Sequence, residues 1–531
     1  MKTVITKTQV ANAVYAALPQ LACVLPDDIE AGLAAALERE ESPRGCAVLN
    51  QLMKNARIAR EDFVPICQDT GTVWASLEIG PDVLVSGDVF AEVNDAVARA
   101  YDEARLRMSV VRDAVLDRAN TGDNTPAFCD IHLVDEPGVA RLHLMLKGGG
   151  SDNASRVVML APGAGKQGIV DELVRCVREK GANACPPLVV GIGIGGTFDK
   201  VAGLAKRALM RPVDEPAADA RVAALEEELL AAVNATGVGP GGLGGRTTAL
   251  AVRVATAPCH IAALPLAINM GCSAMRRVTI DLADCYPERI ERPFCHPERA
   301  KRVEGSRAAV AESASGLSAC TGSFDSGAFG TSAQDDKRAD AFAAGRDDGV
   351  AVGAEPIHLS LPLDRAQLAG LKAGDSCLLT GPLYTLRDAG HVRLMGELEQ
   401  NGGVLPYDLA GQTIFYAGPT PAAAGRPFGA VGPTTAGRMD FAASELYRAG
   451  VVATIGKGRR TADVRKACEE TGSVYFVACG GAAAYLARCV ASSDVVAYDD
   501  LGTEALRKIE VVDFPVFVGI DVCGHDVYDL V

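Results

Sequence analysis

Ile66-Cys67-Gln68-Asp69-Thr70-Gly71 sets a thiol, an amide and a carboxylate side by side in a loop closed by Pro65 and Gly71. Upstream, residues 1–60 carry alanine, leucine and glutamate at a period near 3.6, which predicts two or three helices. Downstream, alternation over 73–79 predicts a strand, and a long helix is expected over 87–107. Two more cysteines have comparable settings: Cys185 in Asn-Ala-Cys-Pro-Pro and Cys272 in Asn-Met-Gly-Cys-Ser-Ala. Loops at strand and helix ends are where ligands and catalytic groups concentrate. The three segments are far apart in sequence, so only the completed fold can bring them together.

A chain of 531 residues can bury the cores of two or three domains. Its net charge of −15 disfavours a nucleic-acid or anionic-membrane surface, while leaving room for a local basic pocket that takes a small acid. The first thirty residues have Lys2 and Lys7 and an amphipathic helical pattern, without the apolar run or cleavage site of a signal peptide. The apolar run at 261–270 is too short to span a bilayer, and the chain reads as cytoplasmic. Sixteen cysteines in such a chain are not a disulfide set. There is no C-x-x-C spacing and no ferredoxin-type run. Cys23, Cys176, Cys377, Cys479 and Cys489 sit in apolar surroundings that suit buried small side chains. Two readings of Cys67, Cys185 and Cys272 stand. They are thiolate ligands of one iron–sulfur cluster with an iron left open, or they are scattered structural thiols.

Alternation over 129–134 and 140–146 predicts an antiparallel strand pair leading into Lys147-Gly-Gly-Gly-Ser-Asp-Asn153, whose glycines allow close backbone approach to a ligand. Helices at 167–180 and 199–209 flank a strand at 188–191, without a regular βαβ repeat. Gly191-Ile-Gly193-Ile-Gly195-Gly196, with Asp214 and Glu215 beyond it, matches the letter of a dinucleotide fingerprint. Pro212 and Pro216 bracket those acids and no βαβ unit surrounds the motif, so a glycine loop close to the site is preferred over NAD binding. Residues 288–355 are rich in Ala, Gly, Ser, Asp and Arg and predict a disordered linker or insertion, with Cys295, His296 and Cys320 incidental to any metal site. Beyond it, strands at 358–363, 413–417, 451–455, 474–478 and 516–520 are expected to alternate with helices at 366–371, 438–449, 461–471 and 482–491. There Arg387, Arg438 and Lys457 occupy glycine-bounded loops, and such cations at strand ends suit capture of small carboxylates.

Ten stretches resemble one known family: ICQDTG (66–71), LRMS (106–109), NTGDNTPA (120–127), KGGGSDN (147–153), CPPLVVGIGIGGTFDK (185–200), GLGGRTTALAV (242–252), CHIAALPLAINMGC (259–272), GPLYTLRDAGH (381–391), FYAGPTPAAAGRPFGAVGPTTAGRMD (415–440) and GKGRRTADVRKA (456–467). They are similar to class I fumarate hydratases, the iron–sulfur family that also includes L-tartrate dehydratase. The resemblance implies an α+β N-terminal cluster-binding domain over 1–287 and a smaller α/β C-terminal domain of the swivelling type over 356–531; it does not account for 288–355, which reads as an insertion between them. It implies a [4Fe–4S] cluster on Cys67, Cys185 and Cys272. Gln68, Asp69, Arg107, Gly150 and His260 would line a substrate site that Arg387, Thr434, Arg438 and Lys457 close, with Thr434 as base and Asp69 as acid. The implied reaction is reversible hydration of fumarate to (S)-malate, with oxaloacetate-forming L-tartrate dehydration as the alternative. Partners would be a small dicarboxylate and a second copy of the chain in a homodimer, with no nucleic acid or membrane. Other classes weighed are a cluster-based sensor, disfavoured by the complete acid–base set, and an NAD-dependent oxidoreductase.

Overall fold

The computed structural model describes residues 3–282 and 355–530. The expected insertion, with Cys295, His296 and Cys320, lies outside the described residues apart from Glu355.

The first sixty residues form three helices, Lys7–Cys23, Asp27–Arg39 and Pro43–Asp62, as their periodicity predicts. The first opens with a reciprocal cap: Gln9 N donates to Thr6 Oγ1 at 3.2 Å and Thr6 N to Gln9 Oε1 at 3.0 Å. Two four-stranded sheets follow. In the first, the order is Arg276–Asp281, Ala140–Lys147, Thr72–Ile79, Phe128–Leu133. The expected antiparallel pair is therefore corrected: Phe128–Leu133 and Ala140–Lys147 lie on opposite sides of Thr72–Ile79, parallel and antiparallel to it. The helix expected over 87–107 is Val93–Glu103 alone. It ends where Arg105 takes a left-handed φ of 53°, which frees Arg107 to lie in a loop.

In the second sheet the order is Arg156–Leu160, Leu264–Gly271, Leu188–Gly196, Ala249–Cys259. The dinucleotide-like glycines belong to the strand itself, which runs on through Gly196. A Cβ at Gly191 would strike the Ala205 carbonyl, and one at Gly193 the Val201 carbonyl, both on the helix Phe198–Ala208. These glycines let a helix pack flat on the strand. They form neither a nucleotide cradle nor the glycine loop near the site that the sequence suggested. The helix Ala220–Asn234, absent from the sequence reading, and Gly165–Lys180 complete this layer.

The C-terminal part is a seven-stranded sheet whose middle closes on itself. Ser376–Thr385 pairs with Thr413–Phe415 on one side and with Leu506–Ile520 on the other. Ala453–Gly456 and Val474–Val477 complete a five-strand ring back to Leu506–Ile520. Helices Asp388–Gln400, Asp440–Arg448 and Ala462–Thr471 are the crossovers between its parallel strands. Those strands are buried on both faces, as helix-covered parallel strands are. One hydrophobic core runs from Leu25, Leu49 and Trp74 to Phe415 and Phe517, so the two parts share a single interior.

Candidate active site

Each cysteine is delivered by the end of a regular element, and hydrogen bonds tie those ends together. Cys67 follows the Pro43–Asp62 helix, whose buried Asn55 donates to Ile66 O at 3.0 Å and to Gly481 O at 2.8 Å. The Asn55 carbonyl accepts Tyr485 N at 2.9 Å, so one amide pins the Cys67 loop to the C-terminal part. Cys185 precedes the strand Leu188–Gly196 and takes a left-handed φ of 58°. Its carbonyl accepts Ser273 N at 3.0 Å, which sets it beside Cys272 at the end of Leu264–Gly271. A Cβ at Gly480 would collide with Cys185 Sγ, so only glycine fits against that thiol.

Cations surround the thiols. Lys457 Nζ lies 2.7 Å from Cys185 Sγ; burial alone would lower its ammonium, but the thiols of Cys185, Cys67 and Cys272 outweigh that and raise it. Lys147 is buried, reaches Ser151 Oγ at 3.3 Å and the Met270 carbonyl, and burial lowers it to about 8. Burial pushes the Cys67 and Cys272 thiols up; the negative charge of Cys185 adds to the rise at Cys272, and Arg276 opposes it at both.

Asp69 sits beside this group. Its carboxylate accepts Gly149 N at 2.9 Å and Gly71 N at 3.1 Å, and Arg107 Nη2 approaches at 3.4 Å. Burial would raise the carboxyl; Arg107, Arg276 and the two N–H groups hold it below its ordinary value. Arg107 Nη1 donates to Gly418 O at 3.2 Å, and Arg387 Nη1 stands 3.0 Å from where a Gly418 side chain would begin. Two arginines from the two parts of the chain thus meet at Gly418. Gln68 is buried against Gly432, and its Oε1 accepts from the Cys67 thiol at 3.5 Å. Thr434 is buried two residues after Gly432 and held by its backbone, N to Tyr416 O at 2.7 Å and O from Lys457 N at 3.1 Å. Gly150 completes this group, 3.5 Å from Lys457 Nζ measured at its Cβ position. Arg438 is half exposed and fork-paired with Asp388, Nε to Oδ1 at 2.9 Å.

The fumarate hydratase family model matches residues 11–281, and the fumarase C-terminus model matches 327–531. The chain belongs to the class I fumarate hydratase family. It is a hydro-lyase of that family. It is 31% identical over 512 residues to the anaerobic class I fumarate hydratase of Escherichia coli K12, covering 92% of this chain and 84% of that one. It is also 30% identical over 527 residues to fumarate hydratase 2 of Leishmania major, covering 94% and 83%. A Methanocaldococcus jannaschii protein provisionally named L(+)-tartrate dehydratase subunit alpha is 38% identical over 275 residues, covering 51% of this chain and 96% of that protein. The C-terminal family match begins at 327, inside the stretch that the composition reads as insertion.

His260 is the expected fumarate hydratase site residue that the fold does not bring to the others. It is exposed in the turn joining Ala249–Cys259 to Leu264–Gly271, and its Nδ1 accepts Ala262 N at 3.1 Å. Gly196 pairs with Cys259, whereas Cys185 precedes Leu188. At ~3.3 Å per residue, the length of that strand separates His260 from the cysteine end by roughly 25 Å. Conversely, sequence reading missed Asn55, Gly480, Ser273 and Arg276. The last two carry buried polar atoms with no partner among the described residues, Ser273 Oγ and Arg276 Nε and Nη1. A second ligand-like group, Asp521, Cys523 and His525, is better read as a turn cap. Its carboxylate is occupied by the N–H groups of Ala373, Cys523 and His525 and by His525 Nδ1. No described helix is long and apolar enough to cross a membrane.

Proposed function

We propose that the chain catalyses reversible hydration of fumarate to (S)-malate, with Cys67, Cys185 and Cys272 holding a [4Fe–4S] cluster. The observation that supports this reading is that Cys185 and Cys272 are tied together and, with Cys67, surround the buried Lys457 ammonium, near where Arg107 and Arg387 meet beside Asp69. The residues suit such a group: three thiols, no side chain at Gly480 in front of Cys185, and buried donors left without partners around them. When bound, the cluster supplies an iron with no protein ligand, a Lewis acid for a substrate oxygen.

The side chains do the rest. Arg107 and Arg387, meeting at Gly418, hold a carboxylate and stabilise the negative charge that builds on it as the C3 proton is lost. Thr434 and Asp69, from opposite parts of the chain, handle the protons. A threonine hydroxyl is too weak a base alone; in this reading Arg438, four residues along from Thr434 and fork-paired with Asp388, favours its ionised form. Gln68 orients the substrate between Cys67 and Gly432. His260 cannot join its own chain's site, so in this reading a second copy supplies it within a homodimer, in the cytoplasm. The similarity to the M. jannaschii protein favours L-tartrate as the second substrate to test. An anaerobic assay of iron- and sulfide-reconstituted protein on (S)-malate and L-tartrate in parallel decides. Turnover of malate is expected, and turnover of tartrate alone would overturn the assignment.

A further inference from the structure

Arg276 is buried four residues along the chain from Cys272. The residue is 1% exposed, and its Nε and Nη1 have no hydrogen-bond partner among the described residues. Asp69 feels its charge but makes no ion pair with it, and a buried guanidinium with unsatisfied N–H groups is costly to hold. Its neighbour on the strand shows the usual solution, since Arg277 pairs with Asp28 at 2.6 Å. Alternation along Arg276–Asp281 sends the two arginines to opposite faces. Arg276 opens its strand four residues after Cys272 and, opposite Leu146, shares that residue's face of the sheet, where Cys23 and Tyr101 also feel its charge. Its Nη2 lies 3.7 Å from the position a Gly148 side chain would take, and Asp69 Oδ2 lies 3.4 Å from the same point. Its charge is felt by the thiols of both Cys67 and Cys272.

Each cysteine therefore has a cation nearby, but the others are engaged. Lys457 is on Cys185, and Lys147 is bonded to Ser151 and the Met270 carbonyl. Arg276 keeps Nε and Nη1 free. A substrate that enters and leaves cannot reach so enclosed a guanidinium, whereas a resident anionic group can. We propose that Arg276 is a binding residue for the iron–sulfur cluster, its unpaired N–H groups serving the anionic sulfur on the Cys67–Cys272 side. The inference rests on the cluster reading above. Hydrogen bonds to cluster sulfur stabilise the more reduced, more negative state and so raise its potential.

The test compares wild type, Arg276→Met and Arg276→Lys, reconstituted anaerobically with ferrous iron and sulfide. Arg276→Met is expected to lose iron to a chelator at least tenfold faster than wild type and to titrate at a lower potential, with Arg276→Lys between them. The cluster-free Arg276→Met chain is expected to melt no lower than cluster-free wild type, because the unpaired cation has gone. Equal iron retention and equal potential would overturn the proposal. So would a cluster-free Arg276→Met that melts lower, which marks a structural residue, or a raised KM with normal iron retention, which assigns Arg276 to the substrate. A wild type that takes up no cluster overturns the cluster reading itself, and this inference with it.

Discussion

Thr434 and Gly480 test the site one side chain at a time. Thr434→Ala removes a hydroxyl while leaving the backbone bonds to Tyr416 and Lys457 in place. It is expected to lower kcat by ~10²-fold or more with KM changed only a few-fold, read by steady-state kinetics on the anaerobic enzyme. Gly480→Ala puts a methyl where Cys185 Sγ stands and is expected to reduce iron bound per chain well below wild type, measured by metal analysis after reconstitution. The three cysteines, Asp69, Arg387 and Lys457 stand out in the sequence because they sit in short polar motifs beside glycines and prolines, whereas Arg107 and Thr434 enter only through the family resemblance. Arg276 was not legible. An arginine at the start of a mixed strand such as Arg276–Asp281 looks like a surface residue until its face of the sheet is known. Gly480 was illegible for a related reason, since what makes it necessary is a sulfur nearly three hundred residues away.

Among elements, the strand Leu188–Gly196 carries a test of its own. Gly191→Ala pushes a Cβ into the Ala205 carbonyl and is expected to cost ~1–3 kcal/mol, seen as a lower denaturation midpoint with no change in nucleotide binding. The helix Asp388–Gln400 carries a pH signature. His391 in it is fully buried, donates Nδ1–H to Arg387 O at 2.9 Å, and burial lowers its imidazole to about 4. The unfolded chain protonates near pH 6.5 and the folded chain near 4, so the native state binds fewer protons in that window. Its contribution is complete above pH 6.5 and falls away as pH drops toward 4, by about 3 kcal/mol. In His391→Phe, stability measured by urea titration is expected to fall less steeply between those values. Element type was legible wherever one face repeated cleanly, as in Lys7–Cys23 or Ala462–Thr471. Pairing was not, because the Phe128–Leu133 strand shows no mark of which side of Thr72–Ile79 it joins.

At the scale of the whole molecule, one interior joins residues on both sides of the stretch 283–354, and the site draws on both. If His260 acts from a second copy, mixing Thr434→Ala with His260→Ala, each inactive alone, is expected to restore part of the activity, because the hybrid dimer has one intact site. No restoration after confirmed subunit exchange would rule out His260 acting from a second copy. The pinning of Cys185 by Lys457 and Gly480 has a further effect on how the protein is made. A polypeptide still emerging from the ribosome presents all three sulfurs long before the lysine that faces one of them has been translated. If the cluster is held as proposed, its surroundings are complete only once Lys457 and Gly480 have been made, and a truncation after residue 440 would leave Cys185 without either.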